Sequence, residues 1–138
     1  ISTNLDSVFN VTKHVIEGMM DRGFGRVVNI SSLNGQKGQF GQANYSAAKA
    51  GMHGFTMALA QETARRGVTV NTVSPGYVGT QMVMAVPAEV REKIIAEIPV
   101  GRLGKPEEIA DSVVFLQREE AGFITGMDLS INGGQYMH

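Results

Sequence analysis

Between residues 5 and 20, Leu5, Val8, Phe9, Thr12, Val15, Ile16, Met19 and Met20 recur at three- and four-residue spacing, and Asp21-Arg22-Gly23 closes the pattern. That period is helical, so an amphipathic helix is expected there. Arg26 to Ser31 (RVVNIS) is a short β-rich run bounded by glycine and serine, the signature of a buried strand. Residues 32 to 42 hold three glycines and three glutamines and are expected to form a loop after that strand. Ala43 to Arg66 is rich in Ala, Met, Leu and Gln and stops at Gly67, which predicts a long helix. Val68 to Val73 (VTVNTV) predicts a second strand, broken by Ser74-Pro75-Gly76. A short charged helix over 87 to 97 follows, then a turn over Gly101 to Lys105. Pro106 opens a helix to about Gln117, and Asp128 to Ile131 is the last strand.

Helix and strand alternate along the whole chain, which predicts an α/β layered fold with parallel strands. Three strands make half of such a sheet. Open α/β sheets bind ligands at the C-terminal ends of their strands, where the loop over 32 to 42 and the Pro75-Gly76 loop both fall.

Chemistry-bearing residues collect at that edge. Tyr45 and Lys49 stand four apart in Tyr45-Ser46-Ala47-Ala48-Lys49, early in the long helix, and Ser32 lies thirteen residues before the tyrosine. Residues four apart share a helix face, so the lysine ammonium sits near the phenol and favours phenolate over phenol. An unperturbed tyrosine titrates near about 10, and a neighbouring cation moves it toward useful proton exchange at neutral pH. Ser32 is placed to hydrogen-bond the same substrate oxygen, which together points to reduction of a carbonyl. Tyr-x-x-x-Lys also arises on amphipathic helices with no catalytic role, so the assignment depends on its context.

Of 138 residues, 43% are hydrophobic and 18% charged, ordinary for one soluble domain with a real core. The net charge is -1 without blocks of like charge, so neither nucleic acid nor an anionic membrane is expected as a partner. Residues 1 to 86 carry seven Lys/Arg against four Asp/Glu, and the remainder five against nine, so Tyr45 and Lys49 lie in the more basic part. The absence of cysteine excludes disulfides and thiol chemistry, with a reducing cytoplasm as the default compartment. The eight methionines are expected as core and interface filler, and no metal site is expected. No run of eighteen apolar residues occurs, and Ile1-Ser2-Thr3-Asn4 resembles neither a signal peptide nor an initiator region, so the chain is expected to begin inside a longer protein.

Asn4, Ser32, Tyr45-x-x-x-Lys49, Asn71-x-Val73-Ser74-Pro75-Gly76, Thr80 and the terminal Asn132-Gly133-Gly134 jointly resemble the short-chain dehydrogenase/reductase family, over essentially the whole chain. Within it, Gly38 to Tyr45, Gly51 to Glu62 and Pro75-Gly76-Tyr77 look most like the acetoacetyl-CoA reductases, with the 3-oxoacyl-acyl-carrier-protein reductases as close relatives. The resemblance implies a Rossmann-like doubly wound parallel sheet of which only the C-terminal half is present. The family's glycine-rich turn, which sets the pyrophosphate on a helix N-terminus, and the residue that selects NAD or NADP are absent. Residues 1–138 are thus expected to be the C-terminal part of a single domain of roughly 245 residues, a size that suits one α/β domain. Alone, the piece is expected to be insoluble, swapped or poorly folded, because its strands would have uncovered faces.

The implied activity is NADPH-dependent reduction of acetoacetyl-CoA to (R)-3-hydroxybutyryl-CoA for polyhydroxybutyrate synthesis, with NADH as the other cofactor choice. Tyr45 would protonate the substrate oxygen, Ser32 would orient it, and Lys49 would also hold the nicotinamide ribose. Asn4 would position a water that relays protons to the lysine, unless it is only a helix N-cap. Pro75, Gly76, the backbone of Val78 and Thr80 would meet the nicotinamide end of the cofactor, the competing interpretation being a plain Pro-Gly turn. Asn29 is expected to face the cofactor as well. Gln39, Phe40 and Gln42 would wall the acyl pocket opposite Tyr77, or stand in solvent. His53 is expected to be packed or at a subunit contact rather than a base. The resemblance also implies a homotetramer. Two rivals share these residues: a carrier-protein reductase, with Arg22, Arg65 and Arg66 as docking cations for an acidic acyl carrier protein, and a non-catalytic truncated subunit.

Overall fold

The computed structural model describes residues 2–31 and 41–137, with side chains described for 9–31 and 47–137. The elements run α1 (Ser2–Arg22), β1 (Gly25–Ile30), α2 (Gly41–Thr63), a 3-10 turn (Ala64–Arg66), β2 (Val68–Pro75), α3 (Gln81–Met84), α4 (Ala88–Ala96), α5 (Pro106–Gln117), a second 3-10 turn (Glu119–Ala121) and β3 (Asp128–Ile131). The strands form one parallel sheet in the order β1-β2-β3. This is a parallel α/β arrangement, as the alternating pattern predicts, and it is Rossmann-like, as the family resemblance implies.

Strand β2 is the centre, and every residue from Val68 to Ser74 is buried. Its alternate side chains reach different partners. Val68 and Val70 pack with Ile16 of α1 and Ala60 of α2, each burial worth about 1.5–3 kcal/mol for a valine or isoleucine. Thr72 continues that face, its hydroxyl 2.8 Å from the Thr56 hydroxyl of α2. Because α2 runs antiparallel to β2, its contacts with the sheet grade from aliphatic at the N-terminal end of β2 to hydroxyl at Thr72, and then to charge at Asp128 of β3.

Glycines close the connections at the opposite end. Gly23 (φ 72°) ends α1, its N–H donating to the Met20 carbonyl and that of Phe24 to the Met19 carbonyl, so two orphan helix carbonyls are satisfied. Gly67 (φ 77°) ends the first 3-10 turn so close to Gly23 that a Cβ there would lie 2.1 Å from the Gly23 carbonyl oxygen. Both chains thereby enter the sheet in register, with Gly25 opposite Val68.

Several bounds differ from expectation, β1 running Gly25–Ile30 instead of Arg26 to Ser31 and α2 ending at Thr63, with Ala64–Arg66 a 3-10 turn. Helix α2 begins at Gly41, two residues early; β2 continues through Ser74 and Pro75, because these pair with Ser130 and Ile131 of β3; and the four-residue α3 was not expected. The amphipathic assignment for α1 holds for Thr12 and Ile16, which are buried, whereas Phe9, Val11 and Val15 are exposed. Ile30 on β1 and Val114, Phe115 and Phe123 near α5 are exposed as well.

Candidate functional site

Tyr45 and Lys49 lie on the unbroken helix α2, one turn apart, so their backbone positions share a face. The Lys49 ammonium is 3.8 Å from Oδ2 of Asp128, the first residue of β3, with side-chain exposures of 22% and 8%. The other Asp128 oxygen accepts a hydrogen bond from the Ser74 hydroxyl at 2.6 Å. Lysine, aspartate and serine thus join α2, β3 and β2 at the end of the sheet where ligands of such folds bind.

Asn71 explains how Asp128 reaches that point. Its amide is fully buried, with Nδ2 donating to the Ile124 carbonyl and Oδ1 accepting from the Met127 N–H, both at 3.0 Å. Thr72 N–H also donates to the Met127 carbonyl at 2.8 Å. The segment before β3 is clamped onto β2 from both directions, so the strand starts at a fixed residue.

Beyond β2, Gly76 N–H donates to the Ile131 carbonyl at 2.9 Å. Val78 forms a parallel bridge to Gly104, with Gly104 N–H on the Tyr77 carbonyl and Gly79 N–H on the Gly104 carbonyl, both 2.9 Å. The Val78 carbonyl accepts from Thr80 N–H at 2.7 Å. Thr80 caps α3, its hydroxyl oxygen accepting from Val83 N–H at 3.4 Å. Pro75 and Tyr77 are half-buried on this segment.

Ser32, Gln39 and Phe40 lie outside the described residues, as do the side chains of Asn4, Gln42 and Tyr45. Asn4 falls within the first turn of α1 and Gln42 is the second residue of α2, so Gln42 belongs to the helix rather than to the loop expected to carry it. Ser31 follows β1 as a buried residue, its N–H donating to the Val73 carbonyl at 2.9 Å, and Ser32 is next in the chain.

Asn29 departs from expectation. Instead of facing a ligand, its Nδ2 donates to Thr56 Oγ1 at 3.3 Å, and the amide belongs to a buried polar chain between β1, α2 and β2. His53 is half-buried, and its Nδ1 is buried without a hydrogen-bond partner among the described residues. The sequence reasoning missed Asp128, which stood only as the start of a strand; a carboxylate at the edge where a lysine is expected was its one signal. A cavity of about 220 Å³ opens at the opposite end of the strands beside Phe24, Arg26 and Thr69, far from this chemistry.

The donors here fit the nicotinamide end of a dinucleotide. At 3.8 Å the Lys49 ammonium is beyond hydrogen-bond distance from Asp128, so its N–H groups remain available to ribose hydroxyls. The Val78 N–H carries no backbone hydrogen bond among the described residues. The Thr80 hydroxyl, an acceptor toward Val83, keeps its own proton to donate. Gly76 gives no such argument, because Asn132 occupies the space beside it. Among the described residues no cluster of His, Asp or Glu could hold a metal ion, and no helix is long and apolar enough to cross a membrane.

The chain is similar to known proteins over essentially its whole length. The chain is 69% identical over 137 residues to the acetoacetyl-CoA reductase of Cupriavidus necator, covering 99% of this chain and 56% of that protein. It is 63% identical over 138 residues to the acetoacetyl-CoA reductase of Allochromatium vinosum, covering 100% and 56%. The 3-oxoacyl-[acyl-carrier-protein] reductase of Vibrio cholerae is 52% identical over 137 residues, covering 99% and 56%. The chain therefore spans a little over half the length of these relatives. A family model described as Enoyl-(Acyl carrier protein) reductase matches residues 1–136, and with these relatives it establishes that the chain belongs to the short-chain dehydrogenase/reductase family.

Proposed function

We propose that this chain is the C-terminal part of a single reductase domain, and that the natural protein reduces acetoacetyl-CoA to (R)-3-hydroxybutyryl-CoA with NADPH for polyhydroxybutyrate synthesis. The observation that carries the proposal is Lys49 at the C-terminal edge of the sheet, one helical turn from Tyr45, in a chain 69% identical to an acetoacetyl-CoA reductase. The coverage of 56% of that relative and the exposed Ile30 on β1 support a domain that continues beyond this chain.

A nicotinamide, when bound, would supply hydride chemistry at the carbonyl carbon. Tyr45 delivers the proton to the carbonyl oxygen, which Ser32 orients by a hydrogen bond. Lys49 holds the ribose hydroxyls and favours the phenolate that remains after proton transfer. Asn4 sustains a water that returns a proton to the lysine. Pro75, Gly76, the Val78 N–H and Thr80 frame the carboxamide end, and Gln39, Phe40, Gln42 and Tyr77 enclose the acyl chain. A cytoplasmic homotetramer belongs to this proposal, supported by the exposed Phe9, Val11 and Val15 along α1.

The test is NADPH oxidation by the natural chain, whatever its full length, with acetoacetyl-CoA and with the acyl-carrier-protein thioester. Faster turnover with the CoA ester is expected. Preference for the carrier protein would assign the protein to fatty-acid synthesis instead. Turnover with neither, by an otherwise folded protein, would favour a non-catalytic subunit.

A further inference from the structure

A carboxylate with 8% exposure is tolerated in a fold only when it is paired and hydrogen-bonded, because burial strips it of water. Asp128 meets both conditions in a particular way. Its Oδ1 is fixed by the Ser74 hydroxyl at 2.6 Å, the length of a charge-assisted bond. Its Oδ2 faces Lys49, the one cation within pairing distance among the described residues. The residue is held in place by backbone, since β3 pairs Asp128 with Thr72 and Asn71 clamps the segment before it.

Nothing else described restrains the lysine. No hydrogen bond to its ammonium occurs among the described residues, and the ammonium ends a flexible four-carbon stem with three rotatable donors. On α2, Tyr45 precedes it by one turn and His53 follows by one turn. β2 offers only the neutral Ser74 at this end, and the ionic groups of β1 and α1 with described side chains, Arg26, Lys13, His14, Glu17, Asp21 and Arg22, make no ion pair with it.

We propose that Asp128 is a positioning residue for Lys49. Anchored by Ser74, its carboxylate draws the ammonium to the sheet edge beside Tyr45. At 3.8 Å it does so by charge alone and takes up none of the lysine N–H groups, which serve cofactor and proton transfer. The relation is reciprocal, because Lys49 is also the counter-charge that keeps Asp128 tolerable where it is buried. This inference rests on the catalytic role assigned to Lys49 above.

The test uses the natural chain in two measurements. Asp128→Asn keeps the acceptor for Ser74 and removes the charge. It is expected to lower kcat by about 10-fold to 100-fold, the scale of a misplaced catalytic group, with little change in either KM. Asp128→Glu is expected to recover part of the loss, and Ser74→Ala to lose activity in the same direction. Second, Lys49→Met is expected to lower the urea midpoint more in the presence of Asp128 than in the Asp128→Asn background, where no buried anion is left unpaired. Unchanged kcat in Asp128→Asn, or an equal midpoint loss in both backgrounds, would overturn the inference. If the wild-type chain reduces no thioester, the functional assignment fails, and the stability cycle still decides whether the two charges act on each other.

Discussion

Gly76 and Asn132 are in contact so close that a Cβ on the glycine would lie 2.7 Å from Asn132 Cβ and 2.9 Å from its Cα. The loop leaving β2 and the turn ending β3 therefore fit together only without a side chain at position 76. Asn132 is itself fixed, with Oδ1 accepting from Gly134 N–H and Nδ2 donating to the Tyr136 carbonyl, both at 3.0 Å. Two motifs of the family, Pro75-Gly76 and Asn132-Gly133-Gly134, are halves of one junction.

Gly76→Ala should therefore destabilise the protein by about 1–3 kcal/mol, as overpacking against backbone does, and should displace the Tyr77-Val78 segment that would meet the cofactor. Urea denaturation gives the first effect, and an increase in the KM for NADPH the second. Wild-type values for both would show that the junction yields.

Asn71 is the second structural member of these motifs. Asn71→Ala leaves the half-buried Met127 N–H and Ile124 carbonyl without their partners inside the fold, a loss of about 1 kcal/mol for each bond. Because the same clamp fixes the start of β3, activity should fall further than the fraction of unfolded protein explains. Comparing turnover with a denaturation curve at one temperature separates the two effects.

Local signals made most elements legible. Pro106 as a first helical residue and the Asn132-Gly133-Gly134 turn after Ile131 placed α5 and β3 at their observed bounds, because these cues act within one turn of chain. What escaped depended on distant partners. Ser74 and Pro75 look like a strand breaker in sequence, yet they pair with β3. Asn29 sits at a strand end where a ligand is expected, and only the packing of α2 shows that Thr56 takes its amide. The Lys49–Asp128 pair joins residues far apart in the chain, and no spacing rule reaches that far.

Tyr45→Phe is the sharpest test of the site itself. Removing the general acid costs about 10²- to 10⁴-fold in rate, so turnover should fall by that much or more while NADPH binding is retained. Fluorescence titration of the cofactor beside single-turnover kinetics reads both quantities. Unchanged turnover in the Tyr45→Phe protein would remove this phenol from the mechanism.

The acid limb of stability should carry the mark of Glu108. Its carboxylate accepts both Arg102 Nη atoms, at 2.7 and 3.0 Å, and the Lys105 N–H at 2.9 Å, where α5 begins. These bonds, the Arg102 hydrogen bonds foremost, lower its pKa from 4.5 to about 2. A carboxylate depressed by folding contributes stability that is complete above its unfolded pKa and is lost as pH falls through the folded one. The contribution of Glu108 is therefore intact above about 4.5 and disappears between there and about 2. Glu108→Gln, which cannot ionise, should lower the urea midpoint at neutral pH and flatten its decline across that window. As the pair stands in solvent, added salt should narrow the difference between the two proteins at neutral pH. Parallel declines for wild type and variant across that same window would show that this carboxylate has no part in acid unfolding.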